Sequence, residues 1–243
     1  MDFTIKPDKV KGFKNTINAV AVLIDEGVLN VNKEGLNVQA MDSSQIAMVI
    51  LKMPDNAFES FNFTEDLNVG VNFEELNKII KRANNEDVIK IEIGNTLKIK
   101  FIGKSTRTFN LSIIDGGGGK NKVPEIEYNS KVVVSAGDLR EGLSDAGLMG
   151  THVKMTVDGK FILNVEGDVG SSAIDFPEEL AVVESSKNEF AIFDLEMLGK
   201  LLKSAESSTE VTLNLRTAAP ILINYSIGES EVKYYLAPRI ESE

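Results

Sequence analysis

The sequence predicts an α+β protein of two similar domains, each with helices lying on one side of antiparallel sheets, and three observations predict it. The first is an internal repeat. KIIKRANNEDVIKIEI at residues 78–93 returns as KLLKSAESSTEVTLNL at residues 200–215, two lysines bracketing two aliphatics and then an alternating strand, at an ungapped offset of 122 residues (78 to 200) in a chain of 243. The second is a change of period inside each copy, from a helical stripe to the two-residue alternation of a half-buried strand. The third is one stretch, DGGGGKNKVPEIEYNS at residues 115–130, where glycine and polar residues crowd out any period. The chain therefore divides into an N-terminal domain (1–114), a connector (115–130) and a C-terminal domain (131–243).

The elements follow in order. A first helix turns Val10, Phe13, Ile17, Val20 and Ile24 inward and leads into a hairpin, GVLNVNKEGLNVQAM, that turns at Glu34 and Gly35. MDSSQIAMVILKMP is apolar at consecutive positions from Ile46 to Leu51, so both faces of that strand need cover. A second helix puts Phe73, Leu76, Ile79, Ile80 and Ala83 on one face and Lys78, Lys81 and Arg82 on the other, then feeds Ile89, Ile91 and Ile93 of a strand. In the second half, residues 136–148 read as a shorter, glycine-broken helix. HVKMTVDGKFILNVEG reads as a hairpin on a two-residue Asp158-Gly159 turn. Leu195, Leu198, Leu201, Leu202 and Ala205 repeat the apolar stripe, with Lys200 and Lys203 where the first copy has Lys78 and Lys81, and Val211, Leu213 and Leu215 repeat the strand. The tail YYLAPRIESE continues past the last strand without a regular period, with Tyr234, Tyr235, Leu236, Ala237, Pro238 and Ile240 as its apolar residues. The four consecutive glycines predict a mobile start to the connector, and Val123, Pro124 and Ile126 predict that its end lies on a surface.

Composition narrows the chemistry. The chain has no cysteine, which removes disulfides, thiolate metal sites and cysteine nucleophiles, and its one histidine, His152, reads as an ordinary surface or strand-edge residue. The N-terminus lacks the apolar core of a signal peptide and no run is long enough to span a bilayer, so a cytosolic protein that meets no membrane is expected. A net charge of −11 argues, taken alone, against nucleic acid. GKST at residues 103–106 resembles the end of a phosphate-binding loop, but Lys98 stands where that motif needs glycine and an alternating strand follows, so it reads as a hairpin turn. Asp42, Glu166, Asp168 and Asp175 read as solvated surface charge, and no catalytic constellation emerges. The tail, the connector and the strand after Met41 either pack on one another or form a groove for a partner's apolar side chains.

Several blocks in order along the whole chain carry a resemblance. AMDSSQIAMVIL, GVNFEELNKIIKRANNEDVIKI, the connector ending VPEIEY, and KYYLAPRIE resemble the proliferating cell nuclear antigen family, the sliding DNA clamps of archaea and eukaryotes. The resemblance implies a DNA-clamp fold with helices on the inner face of curved antiparallel sheets, three two-domain chains closing a pseudo-six-fold ring as a homotrimer. It implies closure by edge-strand pairing, Thr106, Arg107, Thr108, Phe109 and Leu111 of one subunit against Ser171, Ser172, Ala173 and Ile174 of the next. It implies that Lys14, Lys78, Lys81, Arg82, Lys200 and Lys203 face the phosphates of encircled double-stranded DNA without reading sequence, with acidic residues outside. The third helix departs from the family pattern: Glu141, Ser144 and Asp145 stand outward where basic residues are usual, leaving Arg140 as its main positive charge.

The resemblance further implies a pocket for the short peptide motif, the PIP box, of client proteins. Its positions here are Met41, Ile46 and Met48; Val123, Pro124 and Tyr128 of the connector; Pro220; and Tyr235, Ala237, Pro238 and Ile240 of the tail. The implied clients are replicative DNA polymerase, flap endonuclease, DNA ligase and the clamp loader. The function implied is a non-enzymatic processivity factor of replication and repair, with no cofactor or metal of its own, ATP being used by the loader. It would lie in the cytoplasm with the nucleoid if archaeal and in the nucleus if eukaryotic. The alternatives are one subunit of a heterotrimeric ring, or an acidic interaction scaffold that does not encircle DNA.

Overall fold

The computed structural model describes residues 1–115 and 121–240 and divides into two compact units, Met1–Asn121 with Ser226–Val232, and Lys122–Tyr225 with Lys233–Glu243. The mobility expected of the four glycines, residues 116–119, lies outside the described residues. Among the described residues no helix is long and apolar enough to cross a membrane.

The first unit runs β1 (Asp2–Ile5), α1 (Val10–Ala21), β2 (Glu26–Asn32), β3 (Gly35–Met41), β4 (Ala47–Pro54), β5 (Ser60–Asn62), β6 (Leu67–Asn72), α2 (Phe73–Ile80), β7 (Val88–Ile93), β8 (Thr96–Ile102) and β9 (Thr106–Ser112). Its strands form two antiparallel arrays, β5-β1-β7-β8-β9 and β4-β3-β2-β6. Alternation sets the faces: Ile89, Ile91 and Ile93 are buried while Lys90 and Glu92 stand on the other side. Val10, Phe13, Ile17 and Val20 of α1 and Phe73, Leu76 and Ile80 of α2 are buried as their spacing requires, at about 1.5–3 kcal/mol for each fully buried apolar side chain. β4 is buried from Ala47 to Val49 and again at Leu51 and Met53, the cover that its unbroken apolar run demanded.

The second unit repeats the plan with β10 (Ser130–Ser135), α3 (Ala136–Ala146), β11 (His152–Val157), β12 (Phe161–Gly167), β13 (Gly170–Phe176), β14 (Ala181–Ser185), β15 (Glu189–Asp194), α4 (Leu195–Leu202), β16 (Glu210–Leu215), β17 (Ile221–Ile227) and β18 (Ser230–Leu236). Its arrays are β14-β10-β16-β17-β18 and β13-β12-β11-β15, the same order of equivalents. The repeat extends to the helix starts. Asn72 accepts the Glu75 amide (2.8 Å) to cap α2, and Asp194, at the same repeat position, accepts the Met197 amide (2.7 Å) to cap α4. Ser135 accepts the Asp138 amide (3.0 Å) to cap α3.

Four details differ from the sequence reading. The first hairpin turns at Lys33 and Glu34, with Gly35 already paired to Asn32. The second closes Val157 on Phe161 through three residues rather than two, because Asp158 donates to the Lys160 carbonyl (3.0 Å) around a left-handed Gly159. α3 is shorter than its counterpart α1, by one residue (11 against 12), but it is unbroken. A Cβ at Gly142 would stand 2.7 Å from the Phe176 ring and 3.2 Å from Leu163, so this glycine admits close helix-to-sheet approach instead of ending the helix. Tyr234, Tyr235 and Leu236 belong to β18, Tyr234 fully buried, and the irregular tail begins only at Ala237.

Two glycines with positive φ separate conformational strain from crowding. Gly159 (φ +67°) has open space where a Cβ would go, whereas Gly35 (φ +132°) would place it 2.1 Å from the Met53 carbonyl oxygen. Gly159→Ala is expected to cost about 1–2 kcal/mol and Gly35→Ala about 3 kcal/mol or more. Urea denaturation midpoints will show whether the order holds, and equal costs would refute the crowding argument.

Candidate functional site

α1 and α2 pack on each other, joined by a buried bond from Asn77 Nδ2 to Asn18 Oδ1 (3.1 Å), and their outer sides carry the first set of basic residues. Lys78 is exposed and lies 2.7 Å from Glu74 and 2.8 Å from Glu75, bonds that raise its pKa. Lys81 follows the last turn as the C-cap and Arg82 succeeds it, both exposed, where a cation also complements the helix dipole. Lys14 reaches from α1 to the Asn85 side chain beyond α2 (3.1 Å). Partial burial pulls its amine below the ordinary value, and nearby Asp87 opposes the shift.

The second unit repeats the arrangement with one difference. Lys200 pairs with Glu196 (2.6 Å) and Lys203 caps the exposed C-terminus of α4. Arg140 occupies the repeat position of Lys14. Its guanidinium donates to the carbonyls of Leu202 (3.0 Å) and Ala205 (2.8 Å) and to Ser207 Oγ (3.0 Å), and Ser207 stands where the first copy has Asn85. The position therefore ties each first helix to the end of the second, and in this copy the guanidinium is engaged on carbonyls at and just beyond the α4 C-terminus, the Leu202 carbonyl also accepting the Ala205 amide (3.2 Å). Glu141, Ser144 and Asp145 are exposed on α3. Flexible lysines on helix faces supply charge without a fixed fork, chemistry suited to phosphate oxygens and not to base edges.

Strands β9 and β13 end their arrays, so one edge of each has no neighbouring strand among the described residues. On β9, Arg107, Phe109 and Leu111 are half-buried and Thr106 and Thr108 exposed. On β13, Ser172 and Ile174 are half-buried and Ser171 and Ala173 exposed. Phe109 packs on Phe101 (5.3 Å between centroids). Arg107 is clamped, 2.5 Å from Asp87 Oδ2 and 3.0 Å from the Arg82 carbonyl, with its guanidinium 5.1 Å from the Phe101 ring centre. Asp87 is itself buried and accepts the Asn84 amide (2.7 Å), so β9 is bound to the loop that ends α2.

Apolar surface occurs in each unit. In the first, Met41 pairs across the strands with Met48 above a loop organised by Asp42, which accepts the amides of Ile46 (2.9 Å) and Ala47 (2.8 Å). Ile46 is 42% exposed and Met41 half-buried, whereas Met48 is 2% exposed and backs the surface instead of lining it. Asp42 corrects the sequence reading: it is buried, because a carboxylate accepting loop amides needs no water, while Glu166, Asp168 and Asp175 are exposed. Gln39 also donates to the Asn121 carbonyl, holding this residue of the connector to β3.

In the second unit, the Tyr128 hydroxyl donates to the Pro220 carbonyl (3.0 Å). Burial, and then neighbouring Tyr235, push its pKa up, so the phenol stays a donor. Tyr128, Pro220 and Tyr235 are thus brought together, and Val123, Pro124, Ala237 and Pro238 are half-buried while Ile240 is 88% exposed. Glu189, which no periodicity marks, anchors the connector's end: its carboxylate accepts from Asn129 (2.6 Å) and the Thr217 amide (2.5 Å). Burial raises the Glu189 pKa, but the Thr217 and Asn129 bonds outweigh it and the carboxyl lies below its ordinary value. Among the described residues no three His, Cys, Asp or Glu side chains are grouped to hold a metal ion.

Comparison with known proteins matches both units. The profile of proliferating cell nuclear antigen, N-terminal domain, covers residues 4–111, and that of its C-terminal domain covers residues 122–240. A DNA polymerase sliding clamp of Methanococcus maripaludis is 32% identical over 96% of this chain and 97% of its own. One of Thermococcus gammatolerans is 30% identical over 99% and 100%. The solved structure of A. fulgidus PCNA with the C-terminal region of FEN-1 bound superposes with a TM-score of 0.89 at 27% identity, covering 100% of this chain and 99% of that one. PCNA from Thermococcus kodakaraensis has the same fold, with a TM-score of 0.92 at 22% identity over 98% of this chain and 99% of that one.

Two outcomes follow from the local geometry. Arg140→Ala is expected to destabilise by about 1.5–3 kcal/mol and Lys81→Ala by no more than about 0.5 kcal/mol, measured by urea denaturation; equal effects would contradict the tie between α3 and α4. Because the folded pKa of Glu189 lies below its unfolded value of 4.5, the stability it contributes is present above that pH and is lost as pH falls through the folded pKa. Glu189→Gln should therefore flatten that part of the acid limb, and an unchanged limb would exclude the carboxylate as its source.

Proposed function

The chain belongs to the proliferating cell nuclear antigen family, and from that membership we infer that it acts as a sliding clamp, a non-catalytic processivity factor that encircles duplex DNA. The observation that carries the reading is the match of both family domains, in order, to residues 4–111 and 122–240. The chain supplies two units, and three chains close the ring by pairing β9 of one subunit with β13 of the next, which leaves neither edge open to aggregation. Lys14, Lys78, Lys81 and Arg82 on one helix pair, and Lys200 and Lys203 on the other, face the phosphates. Arg140 shapes the second pair more than it contacts DNA, since its donors are engaged within the unit.

A chain of net charge −11 encircles DNA because basic residues repeat on the free faces of α2 and α4, where Glu74, Glu75 and Glu196 offset them only in part. Weak, non-specific phosphate contacts suit sliding, while enclosure and not affinity prevents escape. Clients dock through apolar segments on the Met41–Ile46 surface and on the Tyr128–Tyr235–Pro238 surface. FEN-1 is the client supported by the bound relative, and polymerase, ligase and clamp loader use the same chemistry. Holding a polymerase there converts its rebinding into an intramolecular event.

Light scattering across a dilution series should give three times the 26.5 kDa chain mass. A persistent monomer would instead point to partner subunits of different sequence. Clamps loaded on closed circular DNA should be retained and should leave on linearisation; release from the circle would defeat encirclement. Replacing Lys78, Lys81, Lys200 and Lys203 by alanine should weaken DNA contacts at low salt with the oligomer intact. Tyr235→Ala with Pro238→Ala should weaken binding of the FEN-1 C-terminal region by about tenfold or more, and undiminished affinity would remove these residues from the client surface.

A further inference from the structure

Arg239 lies in the tail between Pro238 and Ile240, and two contacts hold it. Its amide donates to the Ile192 carbonyl on β15 (2.8 Å), and its Nη1 lies 3.1 Å from Nδ1 of His152, the only histidine of the chain. A guanidinium has donors only and keeps its charge, so Arg239 is the donor and His152 Nδ1 the acceptor. That assignment requires a neutral imidazole with its proton on Nε2. Thr151 Oγ1 lies 2.9 Å from the same Nδ1, and Asp194 Oδ2 lies 4.0 Å from Nε2. The charged groups around the ring are therefore Asp194 at the end of β15, Arg239 from the tail, and Lys154 two residues along β11, whose ammonium sits 4.3 Å over the Phe190 ring.

Protonation reverses the role of Nδ1. An imidazolium N–H cannot accept from the guanidinium and meets it as a like charge. It can instead donate to the Thr151 oxygen while the Asp194 carboxylate draws the opposite side of the ring. Histidine is the side chain suited to change charge between about pH 5 and 8. We propose that His152 is a positioning residue for the client surface: neutral, it holds Arg239, and through it Ala237 and Pro238, in place for a client segment, and protonated it lets that side-chain anchor go. The inference rests on reading the tail as a client surface. The Arg239 amide bond to Ile192 carries no titrating group, so it still forms but opens more often once the side chain is released, and binding weakens by about three- to tenfold, the scale of one exposed polar contact.

The test uses the full chain and a labelled peptide of the FEN-1 C-terminal region, with affinity read by fluorescence anisotropy from pH 8 to pH 5.5. His152→Gln is the comparison, because its side-chain oxygen can accept from Arg239 but does not titrate. The wild type should lose several-fold more affinity over this range than the variant, whatever the variant's affinity at pH 8, and parallel profiles would overturn the proposal. Hydrogen exchange at the Arg239 amide reads how often the tail opens at the Ile192 bond, which release of the side chain makes more frequent, and it needs no client. Its protection, corrected for intrinsic exchange, should fall with pH in the wild type and stay level in the variant, and level protection in both would overturn the proposal. If the peptide binds at no pH, the client-surface reading fails, and Arg239 protection still decides whether His152 holds the tail.

Discussion

A helix on a sheet can bury one stripe only, and this constraint organises the molecule. α2 gives Phe73, Leu76 and Ile80 to its core and α4 gives Leu195, Leu198, Leu201 and Leu202, so each has a single remaining face on which to carry charge. The lysines occupy that face near the helix C-termini, where the backbone dipole favours them, and the glutamates of each first turn meet the opposite end. Functional charge and helix stability thus ask for the same residues in the same places. This agreement explains how the pattern could be written twice without cost to either copy.

A second constraint acts at the sheet margins. An exposed strand edge offers unpaired amides and carbonyls to any passing chain, and β9 and β13 each present one. On β9 the side chains nearest the edge are not free to rearrange, since Asp87 and the Arg82 carbonyl hold Arg107 and Phe101 supports Phe109. Such preorganisation lowers the ordering cost of pairing with a chosen neighbour. The same loop that completes α2 therefore also shapes the margin of the sheet.

Periodicity made the architecture legible. Both amphipathic helices, both alternating strands and their repetition could be read from the spacing of Ile, Leu and Lys, because burial enforces a period and a period leaves a trace. The contacts that organise the candidate surfaces have no period. Asp42, Asp87 and Glu189 look like ordinary acidic residues in a chain rich in them, and only the amides around them reveal their loop-building role. Arg140 carried a misleading signal of another kind: its outward position on the wheel was right, but the side chain is long enough to turn back onto α4. The glycines of residues 136–148 read as helix breakers because the role of one of them, Gly142, depends on the Phe176 ring of β13.

The order of pairing within each unit governs when it can form during synthesis. Hairpins β2-β3-β4 and β11-β12-β13 join strands close in sequence, whereas β1 pairs with β7, Asp2 opposite Glu92, and β10 pairs with β16, Ser130 opposite Leu215. The first strand of each copy finds one partner earlier, β5 for β1 and β14 for β10, and must wait on the ribosome for the partner on its other side. Because the copies share one plan, a waiting strand meets two architecturally similar partners over the life of the nascent chain. Divergence between the copies, IKIEI in one and VTLNL in the other, gives the emerging chain a means of telling them apart.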